Sequence, residues 1–167
     1  MTSTRILAIR HGETPWNVET RIQGHTDIDL NQEGLWQAQQ LAKALASEDI
    51  DAVYASDLSR AFTTAQAIAS TKQLPVIKLP GLRERHLGHF QGQTWEEIET
   101  QHPEDARRWR KREPDWTPQG GGESLLMLNE RIAALAHEVA AKHMGQHIVW
   151  VTHGGVLDIL YRLATGQ

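Results

Sequence analysis

The chain has 167 residues, 40% of them apolar and 23% charged, enough for one globular domain with a sizeable core. Its formal net charge of −4 argues against a nucleic-acid or anionic-membrane surface, since both need a basic footprint. Cysteine is absent, which excludes disulfides, thiolate metal sites and a cysteine nucleophile.

The opening "MTSTRILAIRHGE" holds too short an apolar run for a signal peptide, and no stretch approaches membrane-spanning length. The expectation is a cytoplasmic protein. Thr4 to Ile9 is short and apolar and predicts a strand, and Asn17 to Leu30 lacks a sustained period and reads as a loop. Leu35, Ala38, Leu41, Ala42 and Leu45 then recur at helical spacing behind Asn31, a candidate N-cap. Gly34 lowers helix propensity in the first turn. "AVYAS" at 52–56 predicts a second strand. In "DLSRAFTTAQAIAS", Leu58, Phe62, Ala65 and Ile68 or Ala69 share one helical face, with Ser56 or Asp57 as the cap. "LPVIKLPG" predicts a third strand between prolines.

From Gly88 to Gly122 the pattern changes. Trp95, Ile98, Trp109 and Trp116 lie among charges and prolines, which predicts short helices in an insertion with the tryptophans as its small core. The basic run "ARRWRKRE" at 106–113 reads as a solvated helix face, and "PQGGGES" as a flexible end. A long helix from about Ser124 to His143 carries the stripe Leu125, Leu128, Ile132, Leu135 and Val139. "HIVWVTH" at 147–153 predicts a fourth strand, and "GVLDILYRLA" a closing helix. No repeat, low-complexity tract or linker divides the chain. One domain over 1–167 is expected, with a cap insertion at about 88–122.

Strands alternating with helices imply an α/β fold, a three-layer α/β/α sandwich around a mostly parallel sheet. Ligands of such sheets bind at the carboxyl ends of the strands. The first strand ends in Arg10-His11-Gly12 and the second leads to Ser56 and Arg60. The third leads to Arg83-Glu84-Arg85, and the fourth ends in Thr152-His153-Gly154-Gly155. Arg10, Arg60, His11, His153 and Glu84 are therefore expected in one cleft. Arginine forks suit phosphate oxygens, and helix N-termini add aligned N–H groups. Gly12, Gly154 and Gly155 would let backbone approach the anion. His11, beside Arg10 and Arg60, is biased toward the neutral form that can act as a nucleophile. Glu84 is the one carboxylate at these strand ends outside an obvious cap or turn, suited to protonating a leaving oxygen.

Neither a GxxxxGK[ST] phosphate loop nor an aspartate cluster for magnesium is present. His86 and His89 have no cysteine or supporting carboxylate pattern beside them and are not taken as ligands. No metal and no cofactor are expected.

"LAIRHGETPWN", "SDLSRAFTTA", "LRERHLGHFQG", "GGGES" and "VTHGG", in this order, resemble the successive motifs of the histidine phosphatase superfamily, within it the phosphoglycerate-mutase-like branch. The resemblance runs through nearly the whole chain. It implies the phosphoglycerate mutase-like fold and a phosphohistidine formed on His11. Arg10, Arg60 and His153 would complete the phosphate pocket, with the Asn17 side chain and backbone near Gly154 adding hydrogen bonds. Glu84 would be proton donor and then base, and Gln23 and Gly24 would line the substrate side. Relatives continue past the helix after His-Gly-Gly with further strands, whereas this chain stops at "LATGQ". The function implied is a metal-independent phosphatase acting on small phosphate monoesters. A phosphoglycerate mutase using the same phosphohistidine is the alternative, disfavoured by the compact chain and short cap. A non-catalytic phospho-ligand-binding member is a second, disfavoured by the intact set of residues. The partner is a small phosphorylated metabolite, among which sugar phosphates, phosphoglycerates, phosphoserine and cobalamin-pathway phosphates all fit; oligomeric state is left open.

Overall fold

The computed structural model of the chain describes residues 3–167. Four strands, β1 (Arg5–Arg10), β2 (Ala52–Ala55), β3 (Val76–Lys78) and β4 (His147–Thr152), form one sheet in the order β1-β4-β2-β3. Every pairing is parallel. The last strand in sequence thus slots between the first two, with Arg10 opposite Thr152 and Ala55 opposite Val151. This register brings the ends of β1, β4 and β2 to one edge.

The helices are α1 (Pro15–Val18), α2 (Gln32–Ala44), α3 (Ser59–Lys72), α4 (Trp95–Gln101), α5 (Pro103–Arg110), α6 (Leu125–Lys142) and α7 (Gly154–Thr165). Strand side chains alternate between faces, so Val53, Ala55, Val149 and Val151 pack against Ala61, Ala65 and Ile68 of α3 and Leu41 of α2. Tyr54, Ile148 and Trp150 point the other way, onto Leu135 and Val139 of α6 and Leu160 of α7. These are the three layers expected, and the sheet is wholly parallel. A separate cluster of Leu87, Phe90, Ile98, Ala106 and Trp116 lies in and just before the 88–122 region, with Trp95 and Trp109 against it. The tryptophans do pack into this separate small core.

Several local expectations change. The expected loop from Asn17 begins inside a short helix, because Thr14 and Asn17 make a reciprocal capping box at α1. Asn31 caps α2 through the Gly34 N–H, as its position suggested. Leu35, placed on the apolar face, is exposed; Ala38 and Ala42 carry the contact instead. Neither Ser56 nor Asp57 caps α3. Asp57 is held by Arg83 at 2.7 Å, and Asp27, from a distant loop, accepts from the Ser59 N–H and hydroxyl. "PQGGGES" is pinned rather than loose: the Gln119 carbonyl accepts from the His89 N–H, and Glu123 N–H donates to the His86 carbonyl. The basic run is a solvated face, with Arg107, Arg108 and Arg110 paired to Glu104, Glu113 and Glu99.

Gly34 does more than weaken a helix. A β-carbon there would run into the Glu13 backbone, and one on Gly12 would come 2.6 Å from the Gly34 carbonyl oxygen. The loop after β1 crosses α2 glycine on glycine. Helix propensity alone makes Gly34→Ala stabilising by ~1 kcal/mol. The expected outcome is the reverse, a destabilisation above ~1 kcal/mol in urea unfolding; a gain in midpoint would show that the crossing yields freely.

Candidate active site

The loop after β1 is fastened on both sides. His11 N–H donates to the Thr152 carbonyl, prolonging the β1–β4 ladder by one bond. Gly12 N–H donates to the Thr64 hydroxyl, which in turn donates to the Arg60 carbonyl. Gly12 is therefore glycine because α2 passes behind it, not because a ligand needs the space.

His11 is largely buried, and its Nδ1 lies 2.6 Å from the Gly12 carbonyl oxygen. A carbonyl only accepts, so Nδ1 carries the hydrogen and Nε2 keeps the lone pair. Burial is the main force lowering the His11 pKa to about 4, with the charges of Arg60 and Arg10 adding to it and the Gly12 hydrogen bond opposing it. The sequence reading attributed this to the arginines; desolvation leads. The ring sits 5.2 Å, centroid to centroid, from that of His153.

His153 is 1% exposed and lies beneath the cleft rather than on its wall. Its Nε2 is 2.8 Å from the Ser56 hydroxyl, whereas its Nδ1 is buried without a partner among the described residues. Burial first, then Arg60 and His11, push its pKa well below the usual imidazole value.

Arg60, in the first turn of α3, is also 1% exposed. Its two terminal nitrogens donate to the carbonyls of Thr26 and Gly24 at 2.8 and 2.7 Å. No carboxylate pairs with it among the described residues, and its Nε is buried and unpaired. Burial lowers its pKa to about 10, which leaves it charged at neutral pH. Arg10 reaches the same cleft from the end of β1 as an exposed side chain.

Glu84 does cap a helix, contrary to the reading that it stood outside one. Its Oε2 accepts the Gly155 N–H at 2.9 Å in the first turn of α7, and Oε1 accepts the Arg85 N–H at 2.8 Å. A β-carbon on Gly155 would collide with Oε1, so this glycine makes room for the carboxylate rather than for a ligand. Gly154 is less crowded: a β-carbon there would make only ordinary contact, 3.9 Å from Arg10 Nε.

Asn17 lines the cleft and caps α1 at once. Its Oδ1 accepts from the Thr14 N–H, leaving the amide hydrogens free. Gln23 lies on the same wall, its Oε1 2.8 Å from the Thr14 hydroxyl, and Gly24 adjoins it with a positive φ of 54°. Together Arg10, His11, Asn17, Gln23, Gly24, Arg60, Glu84 and Gly154 border one cleft of about 370 Å³, which Leu87, Trp109 and Arg112 also line.

Sequence reasoning missed the residues that hold these in place. Arg131 of α6 donates to the carbonyls of Gly81 and Arg83 and pairs with Glu123, fixing the Glu84 loop. Asp27 fixes the start of α3, and Thr64 ties His11's loop to Arg60's helix. Each is a lone polar residue far in sequence from its target, so no local pattern marks it. His86 does not border the cleft. The expectation that His89 stands without a carboxylate also fails, because folding sets it beside Asp105 and His102.

A chain with this parallel sheet and this cleft at its strand ends has the phosphoglycerate mutase-like α/β fold. It belongs to the histidine phosphatase superfamily (branch 1), whose model matches residues 6–167. It is 46% identical to phosphoglycerate mutase-like protein 4 of Arabidopsis thaliana, over 95% of this chain and 70% of that protein. It is 44% identical to metal-independent phosphoserine phosphatase of the same plant, over 95% of this chain and 67% of the relative. Among solved structures, mycobacterial glucosyl-3-phosphoglycerate phosphatase in complex with VO3 superposes with a TM-score of 0.89 at 32% identity, covering 100% of this chain and 82% of that one.

The His11 pKa carries a stability consequence. Lowered from 6.5 to about 4 in the folded state, it contributes stability that is fully present above 6.5 and lost as pH falls from there toward 4. The loss amounts to about 3 kcal/mol for this group. His11→Asn is expected to flatten the fall of unfolding free energy between pH 6.5 and 4 relative to the unmodified protein. Parallel curves would show that His11 titrates normally.

Proposed function

We propose that the protein is a metal-independent phosphatase that hydrolyses small phosphate monoesters through a phosphohistidine on His11. The observation that carries this is a buried cation without a counter-ion beside a histidine with a free lone pair. Arg60 Nε and His153 Nδ1 are both buried polar atoms lacking a partner among the described residues. Buried polar groups in proteins are as a rule satisfied, and a buried guanidinium with no carboxylate partner is costly. Phosphate oxygens supply both needs. With Ser56 donating to His153 Nε2, Nδ1–H is left to donate to the phosphate, and Arg10 and the Asn17 amide reach it from the open side.

In this reading His11 Nε2 attacks phosphorus in line, the ester P–O bond breaks, and the departing oxygen takes a proton from Glu84. Water then gives a proton to Glu84 and attacks phosphorus, the P–N bond breaks, and neutral His11 returns with inorganic phosphate. Charge neutralisation on the transferred group is done by Arg10 and Arg60, the task that metal ions perform elsewhere. Segment 88–122 acts as the cap of a single domain, and its Trp109 side sets the shape offered to the rest of the substrate. The curated relatives named as phosphatases of phosphoserine and of glucosyl-3-phosphoglycerate support a small phosphorylated metabolite as substrate.

His11→Ala is expected to abolish both turnover and acid-labile phosphate labelling, and chelation by EDTA to leave kcat on nitrophenyl phosphate intact. Residual turnover in His11→Ala within tenfold of the unmodified enzyme would remove His11 as nucleophile; loss of kcat on chelation would end the metal-free mechanism. With 3-phosphoglycerate and 2,3-bisphosphoglycerate, phosphate release should outrun isomerisation, and the opposite order identifies a mutase.

Glu84→Gln separates the proton donor from the pocket. In rapid-mixing burst experiments, phosphorylation by an alkyl phosphate such as phosphoserine should slow by ~10²-fold or more, and by nitrophenyl phosphate far less, because nitrophenolate leaves without a proton. Equal slowing on both rules out general acid catalysis by Glu84.

A further inference from the structure

His89, His102 and Asp105 come together in the cap, away from the residues that border the phosphate cleft. One donor atom from each lies within 4.8 Å of the other two. They arrive from three local elements: the single-turn helix Gly88–Phe90, the junction of α4 and α5, and the first turn of α5.

The tautomer of the neutral His89 ring is set by its surroundings. Its Nδ1 is 3.0 Å from the Gln119 carbonyl oxygen, so Nδ1 carries a hydrogen and Nε2 presents a lone pair. That Nε2 is buried and has no hydrogen-bond partner among the described residues. It faces Asp105 Oδ2 at 3.8 Å, and the His102 ring stands edge-on at 4.5 Å between centroids. An imidazole nitrogen, a carboxylate oxygen and a second imidazole within 4.8 Å of one another form a donor set that can hold a cation. A ring whose far N–H is anchored to a backbone carbonyl is the usual setting of a metal-bound histidine.

We infer that His89, His102 and Asp105 form a divalent-metal site of the zinc class, structural in purpose, that clamps the cap. Two imidazoles and one carboxylate suit Zn²⁺ or Co²⁺, with water as a fourth ligand. Ligand bonds of ~2.0–2.2 Å require the donors to close by about 1 Å, within reach of side-chain rotation. The ion would join the turn at His89 to α5, the helix that carries Trp109 into the cleft wall. It takes no part in the chemistry proposed for His11, and its test reads metal binding, so the two readings fail separately.

Protein stripped with chelator is titrated with ZnCl2 by calorimetry, and Tm is followed in parallel. One equivalent is expected to bind and raise Tm. Asp105→Asn and His102→Gln should each weaken it at least tenfold, and His11→Asn should leave it unchanged. Co²⁺ should give a tetrahedral d–d absorption band that Asp105→Asn abolishes, with circular dichroism confirming that the variant is folded. Absence of a zinc equivalent would mean that His89 and Asp105 form only an ion pair, and overturns the site. Binding that survives both cap variants but falls in His11→Asn also overturns it, by putting the ion in the phosphate cleft.

Discussion

Arg60 is a guanidinium closed off from water, received among the described residues by two backbone carbonyls, and much of the active-site edge is organised around that fact. Those carbonyls belong to Gly24 and Thr26, so the loop after α1 is drawn down onto the start of α3. The same loop sends Asp27 to the Ser59 N–H, which steadies the helix that carries Arg60. A cation in a poorly solvated place also bears on its neighbours. It adds to the burial that keeps His11 and His153 uncharged.

A second constraint is the close passage of backbones. β4 lies between β1 and β2, so three strand ends crowd one edge, and the loops leaving them have little room. Gly12 crosses Gly34, and Gly155 yields to the Glu84 carboxylate. These glycines look like ligand-approach residues in a one-dimensional reading because they adjoin His11 and His153. Their space is taken by the protein itself, and the effect on the site is indirect: His11 and Glu84 are each held by contacts that a side chain would displace.

Much of this architecture was legible beforehand. Short apolar runs and helical spacing located the four strands and the four longest helices, and the parallel-sheet rule brought Arg10, His11, Arg60, Glu84 and His153 to one edge. What escaped were pairings between distant single residues. Nothing near Asp27 marks it as the cap of α3, and nothing near Arg131 shows that it grips the carbonyls of Gly81 and Arg83. The exposure of Leu35 and the anchoring of "PQGGGES" were misjudged for the same reason, since both depend on what packs opposite.

The order of amino acids by itself determined the fold class, the family motifs and which polar residues lie at strand ends, because each of these is written in local periodicity or in short contiguous motifs. Only the tertiary structure decided the states of those residues. The tautomer of His11 depends on the direction of one carbonyl, its low pKa on burial, the orientation of Glu84 on an N–H of α7, and the meeting of His89, His102 and Asp105 on how α4 and α5 turn. Such properties belong to distances between segments, and a linear pattern carries no distances.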